Sequence, residues 1–145
     1  MKVYHYTNKD TYKQIQADGC LRPLSLKVSA TFEDRVQYQD KEKYIFCLPS
    51  VEPKSWVDCG FFTMLMKKVE AWAPRLCLEI TIDDSDKVFV ANQKHLVDWY
   101  NSRNHDYVSK YVTSIVETKN KRKYKMAEVL IANDIPLSRV KLVDK

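Results

Sequence analysis

The stretch Val3-Tyr-His-Tyr-Thr-Asn8 alternates at period two, so residues 2–7 read as a strand with Val3, His5 and Thr7 on one side and Tyr4 and Tyr6 on the other. Thr7 or Asn8 can cap the helix that follows over 9–18, where Tyr12 and Ile15 share the inner face. Gly19 stands in the usual C-terminal stop position. The chain therefore opens as strand then helix.

Residues 20–42 are polar and mixed, with Pro23 near their start, and read as a largely irregular or partly helical loop. Tyr44-Ile-Phe-Cys-Leu48 is a short apolar strand of central character, stopped at Pro49 because proline removes a ladder donor. Over 61–70, Phe62, Leu65, Met66 and Val69 follow the spacing of a helix with one buried face, entered at Gly60. Leu76, Leu78, Ile80 and Ile82 alternate with Cys77, Glu79 and Thr81, which predicts a strand with one core-facing side.

After the turn Asp83-Asp-Ser-Asp86 comes a second short strand, Lys87–Ala91, then helices over 93–101 and 107–118. A strand over 127–132 places Glu128, Leu130 and Ala132 on one face. Asp134-Ile-Pro136 is a turn, and a last strand covers 139–143. Strands with helices grouped between them predict an α+β fold over a single domain, 1–145. At 145 residues, 45% hydrophobic and 12% aromatic, the chain is long enough to bury roughly 68–70% of its unfolded surface.

With two glycines in the whole chain, a Rossmann fingerprint and a P-loop are excluded, since both need glycine for the backbone to approach phosphate. The four cysteines, Cys20, Cys47, Cys59 and Cys77, show no CxxC spacing and no histidine close in sequence, so they are expected as buried free thiols without a metal. No run approaches a membrane span and the first residues lack a signal-peptide pattern, which leads to the expectation of a cytoplasmic protein without membrane contact. The net charge of +5 favours a polyanion. Its densest part is Lys119-Asn-Lys-Arg-Lys-Tyr-Lys125, readable either as a solvated loop or as a phosphate-contacting one, with Tyr124 placed to stack on a base.

Glu128 asks for an explanation, because a carboxylate on a half-buried strand costs free energy unless it is partnered or at a cleft. Glu33, Glu42, Glu52, Glu70 and Glu117 lie in polar surroundings instead. Three segments then stand in a suggestive order: Val3-Tyr-His-Tyr-Thr-Asn8 with Gly19-Cys-Leu-Arg-Pro23, Tyr44-Ile-Phe-Cys-Leu-Pro-Ser50, and Met126-Ala-Glu-Val-Leu-Ile131 with Ile135-Pro136. Together they resemble ADP-ribosyltransferase-fold enzymes of the His-Tyr-Glu kind, including DarT-type DNA ADP-ribosyltransferases and related toxin domains. The resemblance covers about a third of the chain, and the middle departs from it, with no Ser-Thr-Ser strand.

The resemblance implies a mixed, split β-sheet with helices packed around it, NAD as co-substrate, and transfer of ADP-ribose to a macromolecule, nucleic acid favoured over protein. It implies Glu128 as the catalytic carboxylate, bonded to the ribose 2′-hydroxyl. His5, Tyr6 and Thr7 would bind the cofactor, with His5 on a ribose hydroxyl. Tyr44 or Trp56, and less so Tyr38, would stack on nicotinamide, and Arg22 and Arg35 would meet the pyrophosphate. No metal is required. Lys119, Lys121, Arg122, Lys123 and Lys125 would guide DNA or RNA, and an antitoxin-like protein is a further partner in a toxin, phage or defence setting. Two alternatives stay open: a non-catalytic nucleotide or nucleic-acid binding module, and an RNA 2′-phosphotransferase.

Overall fold

The computed structural model describes residues 1–25, 43–104, 106–120 and 123–143. The opening strand β1 (Lys2–Asn8) runs into helix α1 (Lys9–Asp18), whose first turn is closed by Asn8 Oδ1 accepting from the Thr11 amide at 2.8 Å. At the other end Gly19 takes φ +79°, and its amide bonds the Ile15 carbonyl. A side chain is strained in that left-handed conformation, which is why glycine stops this helix.

Two short strands follow, β2 (Cys20–Leu21) and β3 (Leu24–Ser25), then β4 (Lys43–Cys47), α2 (Lys54–Asp58) and α3 (Phe61–Val69). The order continues with β5 (Arg75–Thr81), β6 (Val88–Asn92), α4 (Lys94–Ser102), α5 (Asp106–Ser114) and β7 (Val116–Glu117). The chain closes with β8 (Ala127–Ile131), β9 (Ile135–Pro136), a 3-10 turn at Leu137–Arg139 and β10 (Val140–Leu142).

One sheet has the order β1-β5-β10, a second β3-β4-β8-β6-β7, and β2 and β9 form a two-stranded ribbon. The class is α+β, as predicted, but every described ladder is antiparallel, whereas a mixed sheet was expected. Among the described residues the two larger sheets meet at one backbone bridge: the Tyr4 amide donates to the Leu48 carbonyl at 2.9 Å and the Leu48 amide returns a bond to Tyr4 at 2.7 Å. β4 is thereby flanked by β1 at its end and by β8 along its length.

Three apolar clusters fill the interior. Val3, Ile15, Leu21, Ile45, Leu78, Ile80, Val129 and Ile131 make the first. Tyr44, Ala91, Leu96, Trp99, Val108, Tyr111 and Leu130 make the second, under α4 and α5. Tyr6, Leu48, Trp56, Phe62, Met66, Cys77 and Met126 make the third, under α2 and α3. Leu78, Ile80, Leu130 and Ile131 are fully enclosed, and each such side chain contributes about 2 kcal/mol by leaving water.

Several sequence expectations are corrected. The helix expected over 107–118 stops at Ser114, and Val116–Glu117 pairs with β6 instead. The β-branched run Val112, Thr113, Ile115 and Val116 disfavours further helix, and Ser114 ends it by donating its hydroxyl to the Tyr111 carbonyl at 2.6 Å while accepting the Asn92 amide at 2.9 Å. Ile135–Pro136 is a strand paired with Cys20–Leu21, where a turn and a loop were expected. Only part of 20–42 is described, and it begins with β2 and β3. β5 is buried on both sides, since Cys77 enters the third cluster while Leu78 and Ile80 enter the first. Two of the four cysteines are buried, Cys47 and Cys77, whereas Cys59 is exposed.

Candidate active site around Glu128

Glu128 is the second residue of β8 and faces Ala91 across the β6 ladder. Its strand is central, with β4 on one side and β6 on the other, so its side chain leaves from an enclosed backbone. Alternation sends it to the side of Leu130, into the second cluster, where only 8% of the residue stays exposed. There the Tyr111 hydroxyl of α5 donates to Glu128 Oε1.

Burial raises the Glu128 carboxyl and the bond from Tyr111 draws it part of the way back, which leaves it at about 7. A carboxyl at that value exchanges its proton near neutral pH, the property general acid and base groups require. The same low-polarity surroundings push the Tyr111 phenol up, with the neighbouring Glu128 charge adding to the effect. The Cys47 thiol, on β4, is raised by burial and then by Glu128. It stays a neutral thiol and no nucleophile at neutral pH.

His5 Nδ1 lies 2.7 Å from the Phe46 carbonyl oxygen of β4. Because a carbonyl only accepts, Nδ1 carries the proton and Nε2 is left as an acceptor in the neutral ring. Burial lowers the imidazole below its usual value, against a smaller upward effect of the Phe46 bond, which favours that neutral form.

β1 and β8 run on opposite sides of β4. Cys47 faces Val129 in the ladder and Leu48 bonds Tyr4, so one step beyond the paired register sets Glu128 level with Leu48 and Tyr4. Two strand spacings, about 10 Å, separate the backbones there. The fold thus brings the strands of His5 and Glu128 together, but not their side chains. His5 leaves β1 on the side of Val3, Glu128 leaves β8 on the side of Leu130, and Val3 and Leu130 belong to different clusters.

The other expected cofactor contacts are placed differently. Tyr44 and Trp56 are core residues, 4% and 2% exposed, so neither ring lies open to nicotinamide, which corrects that expectation. Trp56 instead donates its indole N–H to the Ala127 carbonyl at 3.2 Å, bracing the residue before Glu128. Tyr6 packs edge-on against Phe62 and donates its hydroxyl to the Val51 carbonyl at 2.6 Å, while Thr7 is buried in β1. Arg22 pairs with the exposed Asp134 at 3.4 Å, past the far end of β8 from Glu128, a position that does not serve a pyrophosphate beside that carboxylate. Arg35 and Tyr38 lie outside the described residues, as do Lys121 and Arg122.

Sequence reasoning missed Tyr111, because its place in the helical pattern gives it a core role without indicating a hydroxyl partner. It also missed an open groove of about 590 Å³ lined by Asn92, His95, Ser109, Lys110, Thr113, Ser114, Val116 and Tyr124. No acidic residue lines it. The His95 ring is held below its ordinary value chiefly by burial, against an upward effect of Asp98 and with smaller downward effects of Lys110 and Lys94, and its Nδ1 is enclosed without a hydrogen-bond partner. Tyr124 is fixed as a wall by donating its hydroxyl to the Ser114 carbonyl at 2.6 Å. Of the basic run, Lys119 is paired with Glu117 at 2.8 Å, and Lys123 and Lys125 are exposed.

Among the described residues no group of three or more His, Cys, Asp or Glu side chains is placed to hold a metal ion, and no helix is long and apolar enough to cross a membrane. The chain matches no protein-family model, no curated protein and no solved structure.

Proposed function

We propose that the protein is an NAD-dependent ADP-ribosyltransferase in which Glu128 is the catalytic carboxylate. The observation that carries the reading is the buried Glu128 carboxyl, held by Tyr111 on a central strand and raised to about 7. NAD, when bound, supplies the ADP-ribosyl group as its bond to nicotinamide breaks. That bond breaks with its electron pair leaving on nicotinamide, so positive charge grows on the sugar. An ionised Glu128 accepts a hydrogen bond from the ribose 2′-hydroxyl and offsets that charge in a medium that screens it poorly. The attacking acceptor gives up its proton, which the same carboxylate can take. The cationic nicotinamide ring favours the ionised carboxylate on binding, which reconciles a raised value in the free protein with a charged group in the reaction.

The residues fit this cofactor in part. Glu128 suits the sugar chemistry, whereas His5 leaves the sheet on the other side from Glu128, and Arg22, Tyr44 and Trp56 do not occupy cofactor-facing positions. For the acceptor we propose nucleic acid, supported by the groove that Lys110 lines with no acidic residue in its wall, and by exposed Lys123 and Lys125 next to Tyr124 in sequence.

One observation favours a second reading, a non-catalytic binding module: Glu128 and Tyr111 together form a buried polar peg between β8 and α5 that needs no substrate to explain it. Nicotinamide release from NAD separates the two. Transferase activity predicts release by the wild type and a loss of at least a hundredfold in Glu128→Gln with the fold intact. Equal release, or none from either protein, leaves the binding module.

A further inference from the structure

Glu128 sits on a strand, yet the side chain that meets it comes from a helix seventeen residues earlier in the chain. The helix is in turn tied down at its last turn. Ser114 donates to the Tyr111 carbonyl at 2.6 Å, accepts from the Asn92 amide at 2.9 Å, and its own carbonyl accepts from the Tyr124 hydroxyl at 2.6 Å. These bonds connect α5 to β6 and to the segment that leads into β8, so the Tyr111 ring is held relative to one strand beside Glu128 and to the approach to its own strand. The ring itself is 4% exposed, packed in one cluster with Tyr44, Ala91, Leu96, Trp99, Val108 and Leu130.

A carboxyl on a strand has freedom about three side-chain torsions, and a hydroxyl fixed on one oxygen removes most of it. We propose that Tyr111 is a positioning residue that fixes Oε1 of Glu128 and so presents Oε2 to the sugar. The inference rests on the assignment of Glu128 as the catalytic carboxylate, and it adds how that carboxylate is aimed. Tyr111 touches no substrate. It acts by selecting one rotamer of Glu128 and by donating to its charged form, and Ser114 and Asn92 keep the donor in place. Removing the hydroxyl while keeping the ring leaves Glu128 with the burial that raises it and without the bond that lowers it.

The test is Tyr111→Phe, read by carbon-13 NMR titration of the Glu128 carboxyl and by the pH profile of nicotinamide release. The expected result is a Glu128 midpoint higher by roughly one pH unit, with kcat at neutral pH at least tenfold lower. KM for NAD should stay within about twofold, and the rising limb of the pH profile should move by the same amount as the NMR midpoint. Partial recovery of kcat at higher pH is the signature a merely structural role would not give. An unchanged midpoint and unchanged kcat in a folded Tyr111→Phe protein overturn the inference. Should that variant fail to fold, the wild type decides. A slowly exchanging downfield hydroxyl proton of Tyr111 that shifts with the Glu128 titration sustains the contact, and its absence overturns it. If the wild type releases no more nicotinamide than Glu128→Gln, the transferase reading fails and takes the aiming role with it, while the two NMR titrations still report whether the Tyr111 bond exists.

Discussion

The imidazole of His5 donates from Nδ1 to the Phe46 carbonyl at 2.7 Å, across forty-one residues of chain and across the only described junction between the two larger sheets. A side chain therefore reinforces a seam that the backbone closes with just two bonds, those between Tyr4 and Leu48.

Replacing that donor has a separable outcome. His5→Ala removes the seam bond and should lower the free energy of unfolding by about 1–2 kcal/mol in a denaturant titration. His5→Asn can place an amide N–H near the position of Nδ1 but has nothing in place of Nε2. It should recover most of the stability and, with His5 directed away from Glu128, leave NAD binding measured by calorimetry unchanged; weaker binding would show that Nε2 meets the ligand.

The pH dependence of stability follows from two buried groups of opposite sign. Glu128 rises from 4.5 to about 7 on folding, so its contribution is fully present below about 4.5 and is lost as pH climbs through 7. His5 is lowered from 6.5, so its contribution is present above that value and is lost as pH falls below it. Glu128→Gln should therefore be more stable than the wild type at pH 8, by up to about 3 kcal/mol, and equal to it near pH 4. Thermal melts at the two pH values check this, and a constant difference would mean that the Glu128 carboxyl titrates alike in the folded and unfolded chains.

Asp86 and Arg139 make the shortest ion pair among the described residues. The guanidinium bonds both carboxylate oxygens, at 2.5 and 3.0 Å, and the Asp86 side chain is 2% exposed. Arg139, helped by the Asp83 amide and Asn133, holds the Asp86 carboxyl at about 2 against its own burial. Asp86 thus stabilises the fold above 3.8, and that stability disappears as pH falls through 2. Arg139→Ala should cost about 2–3 kcal/mol at pH 7 and much less at pH 2, as followed by urea unfolding.

If nucleic acid occupies the groove beside α5, charge reversal there should act on binding without touching Glu128. Lys110→Glu should weaken binding of a short single-stranded oligonucleotide about tenfold and reduce the salt slope by about one. Lys67→Glu, on the exposed side of α3, should leave both unchanged. Fluorescence anisotropy across a salt series distinguishes these, and equal losses in both variants would reduce the attraction to net charge alone.

Much of the secondary structure was legible because local periodicity and local capping dictate it. β1 and α1, with Asn8 as cap and Gly19 as stop, follow from side-chain alternation and from one asparagine and one glycine. The positions of β4, α3, β5, β6 and β8 follow from the same patterns, and so does the sharing of a face by Glu128 and Leu130. Elements too short to show a period escaped: α2, β2, β7 and β9 span two to five residues each and exist through their partners.

For the candidate site, the sequence by itself determined that a carboxylate would sit on an apolar strand and that a histidine would lie on the first one. Only the tertiary structure decided what surrounds them. Tyr111 reaches Glu128 because α5 packs against β6 beside β8, Tyr44 and Trp56 vanish into the core because the second and third clusters close over them, and Arg22 is carried past the far end of β8. Periodicity specifies which way a side chain leaves its own backbone. Its partner, its solvation and hence its proton affinity belong to pairings between distant segments, which a local pattern does not encode.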